Sequence, residues 1–116
     1  MHNLSPDTFL RLVSSALENL PQAVHDALDN VEIVTQEWPS SEQVDSTENS
    51  DYYRLLGLYE GVPLVDRINY TMVLPDRVTL FQRPLEAMCA TAQELQFEIQ
   101  ITIVHELAHH LGWGDE

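Results

Sequence analysis

The chain has very little positive charge and no lysine: five arginines stand against 19 acidic residues, which gives a formal net charge of −14 over 116 residues. The arginines are scattered rather than clustered. A surface of this sign repels nucleic-acid phosphates and anionic membrane surfaces. We therefore expect neither a nucleic-acid partner nor a membrane partner. The same charge favours basic peptides or cations, or serves solubility alone.

Cysteine and long apolar runs are also scarce. Cys89 is the only cysteine, which excludes an intrachain disulfide and suits a reducing compartment. We predict that it is a small buried residue rather than a ligand or a nucleophile. No run is long enough to span a bilayer, and the first residues lack the basic start and apolar stretch of a secretory signal. These features predict one cytoplasmic domain over residues 1–116. The sequence does not determine its oligomeric state.

The residues with the clearest chemistry lie near the end of the chain. His105 and His109 are four positions apart, so on a helix their imidazoles lie one turn apart on the same face and can reach one cation. Zinc binds imidazole nitrogen at about 2.0–2.1 Å and lowers the pKa of its bound water to about 7. Glu106, beside this pair, can accept the proton of that water. We predict zinc as the cofactor and Glu106 as the catalytic base.

A third ligand is expected just beyond this helix. Gly112 readily adopts the left-handed conformation that ends a helix, which turns the chain back and brings Asp115 within reach of the metal. The complete pattern, His-Glu-x-x-His-x-x-Gly-x-x-Asp, resembles the zinc signature of the metzincin-like zincins in its snapalysin-type form. By this resemblance the metal ligands are His105, His109 and Asp115.

A wider resemblance covers most of the chain. Residues 55–64 (LLGLYEGVPL), 74–81 (LPDRVTLF) and 84–86 (PLE), followed by the zinc pattern, look like the minimal zincins, a family of small bacterial single-domain proteins classed as metallopeptidases. The resemblance implies an α+β fold, in which a small mixed sheet packs against N-terminal helices and a C-terminal active-site helix. It also implies that the strand at residues 77–82 is the edge strand above the metal.

In zincins an extended peptide adds to that edge strand through main-chain hydrogen bonds, which makes residues 78–81 the expected substrate platform. The alternative is an edge strand that is exposed in the monomer or used for dimer pairing.

Together these residues indicate a zinc-dependent peptidase or amidase that acts on a peptide or protein substrate. The alternative, from a different class, is a non-catalytic zinc-binding protein with an interaction or regulatory role, because the same ligands suit a closed structural site. A metal hydrolase that acts on nucleic acid is disfavoured by the acidic charge.

Apolar periodicity predicts the other elements. A Ser5 cap, Pro6 and apolar residues at helical spacing predict a helix over residues 6–19. Pro21 begins a shorter helix that reaches about residue 29. The remaining predicted elements are a strand near residues 31–36, short extended pieces near residues 58–59 and 64–65, a strand at residues 77–82 and a short helix from Pro84 to about residue 90.

One segment carries two periodicities at once. The apolar residues from Phe97 to Ile103 alternate with polar ones, which is typical of a strand, whereas leucine and isoleucine recur at every fourth position from Leu95 to Leu111. No glycine or proline interrupts residues 91–111, and the zinc pair requires a helix. We therefore predict one helix over residues 91–111.

Three features allow two interpretations each. Residues 38–50 are polar, acidic and nearly free of large apolar groups, which predicts a mobile loop, with a lid over the site as the alternative. Tyr59 is expected to pack rather than to direct its phenol at a transition-state oxyanion. His110 lies about 100° around the helix from His109. We expect it to support a ligand from behind or to face solvent.

Overall fold

The computed structural model of the chain describes residues 4–47, 54–61 and 75–112. Within these ranges the elements form an α+β arrangement, as expected. The helices are α1 (Pro6–Glu18), α2 (Gln22–Ala27), α3 (Ser41–Asp45), α4 (Gln82–Ala87) and α5 (Ala92–Leu111), and the strands are β1 (Val31–Gln36), β2 (Gly57–Glu60) and β3 (Asp76–Phe81). None of the helices in the described ranges combines the length and the hydropathy needed to cross a membrane.

The three strands form a mixed sheet with β3 at its centre. β1 pairs with β3 in parallel, with Val31 opposite Asp76, and β2 pairs with β3 antiparallel, with Gly57 opposite Leu80. The prediction that residues 77–82 form the edge strand is therefore wrong, because β3 has a hydrogen-bonded neighbour on each side. Residues 78–81 of this central strand have no exposed surface and offer no free edge to a peptide. Both β2 and β3 contact α5.

The main core lies between one face of the sheet, α1 and α5. Ser5 caps α1 by accepting a hydrogen bond from the Thr8 backbone N–H at 3.1 Å, so α1 begins where the sequence predicts. Val78 and Leu80 of β3 point into this core. The α1 and α5 residues buried there are Phe9, Val13, Ala16, Leu95, Ile99, Ile103 and Leu107.

The second face of the sheet packs against α3, which lies inside the segment predicted to be a loop. Ser40 and Gln43 form a reciprocal capping box, and Val44 is only 2% exposed, in a cluster with Leu55 and Phe81. The loop prediction is wrong for residues 41–45, because one buried apolar side chain and a complete cap are enough to hold a short helix. Residues 48–50 lie outside the described part of the chain.

The long C-terminal helix is confirmed as one element. A capping box between Thr91 and Glu94 begins α5, and the strand-like alternation of residues 97–103 has no counterpart in the backbone. The strand near residues 31–36 and the extended piece near residues 58–59 are also present. The predicted extended piece at residues 64–65 lies outside the described residues.

Candidate metal centre

The C-terminal end of α5 brings the two predicted imidazole ligands into one cleft. His105 and His109 are both exposed, and their ring centroids lie 6.4 Å apart with the planes tilted by 35°. Two imidazoles bound to one zinc ion at about 2.0–2.1 Å bring their ring centroids to roughly 5–6 Å. Because both rings are exposed, small side-chain rotations are enough to close the difference. The pair therefore fits a single divalent cation.

Gly112 ends the helix as its residue type predicts. Its φ of 74° is left-handed, and its backbone N–H donates to the Ala108 carbonyl. Asp115, the predicted third ligand, lies outside the described residues. Within residues 4–47, 54–61 and 75–112, no group of three histidine, cysteine, aspartate or glutamate side chains is arranged to hold a metal. The described part of the site is thus the histidine pair and its surroundings.

Glu106 is held by the neighbouring strand. Its Oε1 atom accepts a hydrogen bond from the backbone N–H of Tyr59 at 3.0 Å. The Leu56 carbonyl accepts a hydrogen bond from the backbone N–H of Phe81 in β3. Because backbone groups alternate in direction along an antiparallel strand, those of Gly57 and Tyr59 point away from β3. The contact places the half-buried carboxylate of Glu106 between α5 and β2, in the same cleft as both histidines.

Tyr59 connects the sheet to the last turn of α5. Its ring stacks on His110, with centroids 3.8 Å apart and planes 11° from parallel, and its hydroxyl donates to Asp76 Oδ2 at 2.8 Å. The phenol is thus engaged with β3, in agreement with the packing role expected for Tyr59. His110 itself is exposed despite this stack. Together these contacts fix the helix turn that carries His109.

The approach of β2 to α5 depends on a glycine. A Cβ atom added to Gly57 would lie 2.6 Å from Thr102 Cγ2 and 3.3 Å from the Thr79 carbonyl oxygen. Only glycine therefore allows the strand to lie this close to the helix. The close approach brings the Tyr59 backbone within hydrogen-bonding distance of Glu106.

The cleft has a volume of about 810 Å³. One wall is the exposed side of α5, and the other is β2 with the residues that precede it. Besides the histidines and Glu106, its lining includes both apolar and polar side chains, among them Leu56, Leu58, Arg54, Glu98, Ile101 and Thr102. The cleft therefore offers both kinds of surface to a bound molecule.

Sequence comparison identifies the family to which these residues belong. A family model described as zincin-like metallopeptidase matches residues 28–116, which is most of the chain. The chain belongs to this family. Membership in this family implies, at the level of the family, a metallopeptidase with zinc as its metal. A search of curated proteins gave no match.

A solved structure shares the fold of this chain. The chain is similar to a conserved hypothetical protein from Thermo thermophilus, with 19% identity, a TM-score of 0.55 and coverage of 93% of this chain and 94% of that chain. At this level of identity the similarity concerns the fold alone.

Sequence reasoning missed two parts of this cleft. The local sequence around Gly57 predicts only short extended pieces, whereas in the structure this glycine permits the contact between β2 and α5. Glu98 and Ile101 were not recognised as cleft residues, although they lie at positions −7 and −4 from His105 and thus on its side of the helix. Helical spacing from His105 is the signal in the sequence that could have identified both residues.

Proposed function

We propose that this zincin-like metallopeptidase hydrolyses peptide or amide bonds, with Glu106 as the catalytic base and with His105, His109 and Asp115 as the zinc ligands. The observation that carries the proposal is the carboxylate of Glu106, held at 3.0 Å by a backbone N–H in a cleft that both histidines line. A base must be fixed within reach of the water it deprotonates, and this contact supplies the orientation.

Zinc bound at this site would polarise the scissile carbonyl and acidify a water molecule. Glu106 accepts the proton of the attacking water at its carboxylate and passes it to the leaving amine. The backbone N–H of Tyr59 keeps that carboxylate in place during both transfers, and the stack of Tyr59 on His110 keeps the helix turn in register. The carbonyl and amide groups of Gly57 that point away from β3 suit the main chain of an extended peptide.

The proposed substrate is a peptide or protein, and the proposed location is the cytoplasm. The net charge of −14 argues against nucleic acid and anionic membranes as partners. A buried thiol at Cys89, whose pKa is raised by burial and then by the charges of Glu98 and Glu94, suits a reducing compartment.

The test compares Glu106→Gln with Glu32→Gln, which makes the same charge change on an exposed residue of β1. Both purified proteins are loaded with zinc, their zinc content is measured by atomic absorption, and each is incubated with a diverse peptide library read by mass spectrometry. We expect both to retain zinc and the Glu106 variant to lose at least about 100-fold in cleavage rate. Unchanged turnover would reject the assignment. Zinc binding without any cleavage by the parent chain would instead support the non-catalytic role.

A further inference from the structure

The wall of the cleft formed by α5 continues for two helical turns beyond the histidines. Ile101 lies one turn before His105 and Glu98 lies nearly two turns before it, and all three side chains line the same cleft. At about 1.5 Å per residue, Glu98 stands roughly 10 Å along the helix axis from His105. The cleft thus presents an apolar side chain and then a carboxylate at increasing distance from the proposed metal.

Glu98 is half-buried, and in the described ranges the structure records no ion pair that involves its carboxylate. Ile101 is 43% exposed, although it is a large apolar residue in the middle of a helix. The two side chains lie side by side at a spacing of three residues, which places them on one helix face. Both are therefore accessible to a molecule that enters the cleft.

An arginine or lysine side chain matches this pair chemically. Long basic side chains bury an aliphatic stem against apolar surface while the charged head reaches a polar partner. Here Ile101 suits the stem and Glu98 suits the head, where a charge-assisted hydrogen bond forms. The excess of 14 negative charges on the chain also attracts a basic segment towards the cleft.

We propose that the cleft selects peptides with an arginine or lysine near the scissile bond, with the stem of that residue on Ile101 and its cation at Glu98. An extended peptide advances about 3.3–3.6 Å per residue, so the basic residue lies within two or three positions of the bond. The inference rests on the proposed function, because a scissile bond exists only if the protein cleaves peptides. Binding of the basic residue can nevertheless be measured without cleavage.

The test measures binding to the zinc-loaded full chain that carries Glu106→Gln, so that bound peptides stay intact. Fluorescein-labelled peptides with an apolar background differ at one position, which is arginine, the uncharged isostere citrulline or glutamate, and that position is moved stepwise along the peptide. Anisotropy titrations give each Kd. At the matching position we expect arginine to bind about five- to tenfold more tightly than citrulline, the range for a half-buried charge pair.

In the Glu106→Gln background, a second substitution Glu98→Gln should abolish the difference in Kd between the arginine and citrulline peptides. Glu98→Arg in the same background should reverse the order, so that the glutamate peptide binds best. Added Glu32→Gln, which changes the net charge by the same amount outside the cleft, should preserve the preference. Ile101→Ser should weaken the arginine and citrulline peptides alike.

An arginine-to-citrulline ratio that Glu98→Gln leaves unchanged would overturn the inference, and so would a ratio of one at every position in the Glu106→Gln background. Failure of the parent chain to cleave the peptides would count against the proposed function alone. A preference that depends on Glu98 would stand in that case as a basic-peptide binding site.

Discussion

The two sides of α5 carry ladders of side chains with the same four-residue spacing and opposite surroundings. The inner ladder has no exposed surface and packs in the core, whereas the outer ladder is exposed and ends in the proposed metal ligands. The inner ladder is Leu95, Ile99, Ile103 and Leu107, and the outer ladder is Phe97, Ile101, His105 and His109.

The comparison separates residues that hold the fold from residues available for chemistry on one helix. Positions two apart on a helix differ by about 200°, so the two ladders point in nearly opposite directions. If this division is correct, the same substitution should be strongly destabilising on the inner ladder and nearly neutral on the outer one. Substitutions on the outer ladder should instead weaken the binding of zinc and of substrate.

The largest expected effect comes from Ile103→Ala on the inner ladder. Ile103 has no exposed surface, so its truncation should lower the free energy of unfolding by about 2–5 kcal/mol. The matched change Ile101→Ala should remain within about 0.5 kcal/mol of the parent chain. Urea titrations followed by circular dichroism measure both, and equal losses would show that α5 does not face the core as described.

Zinc should act through the outer ladder. At about 100 times its Kd, zinc should raise the free energy of unfolding by about 2.7 kcal/mol. His109→Ala should lose that gain and, in a chelator, should unfold within about 0.5 kcal/mol of the parent chain, because the side chain is exposed. Thermal melts with zinc and with chelator measure the difference. His25→Ala, on α2, is the control, and an undiminished zinc effect in His109→Ala would remove His109 from the site.

The contact between the helix and β2 should be sensitive to one added methyl group. In Gly57→Ala the new Cβ meets Thr102 Cγ2 at 2.6 Å, which should cost about 1–3 kcal/mol of stability. Thr102→Ser removes that methyl group and keeps the hydroxyl, so the double variant should recover part of the loss. Denaturant titrations of the two single variants and the double variant test this, and additive losses would contradict the close approach.

The smallest expected effect comes from Tyr59→Phe, which removes the hydrogen bond to Asp76 and keeps the stack on His110. Stability should fall by about 0.5–1.5 kcal/mol. Tyr59→Ala removes the stack as well and should give a lower cleavage rate than Tyr59→Phe, since the turn that carries His109 is no longer supported. A peptide-cleavage assay beside denaturant titration separates the two variants, and equal activities would argue against a positioning role for the stack.

Some elements of this fold follow directly from local sequence. The Ser5 cap and the apolar spacing of α1 predict its start, and Gly112 predicts the end of α5. The zinc pair decides between helix and strand for residues 97–103. The alternation there arises because both ladders are apolar at these positions and are offset by two residues, so a period of two is the sum of two helical periods.

Other elements depend on contacts between distant residues. The central position of β3 cannot be read from its own sequence, since the order of strands depends on which neighbours pair with it. The helix α3 rests on the burial of Val44 against Leu55 and Phe81, which a window of polar residues conceals. The hydrogen bond from Tyr59 to Glu106 joins residues 47 positions apart and exists only because Gly57 lets the two elements meet.

The strand order also has a kinetic consequence. Pairing of β2 with β3 closes a segment as short as 17 positions, from Glu60 to Arg77, whereas pairing of β1 with β3 closes 45 positions, from Val31 to Asp76. The longer closure carries an additional entropic cost of about 0.9 kcal/mol. We therefore expect the half of the sheet that orients Glu106 to assemble before β1 joins. Pulsed hydrogen exchange during refolding should show amide protection on β2 ahead of β1.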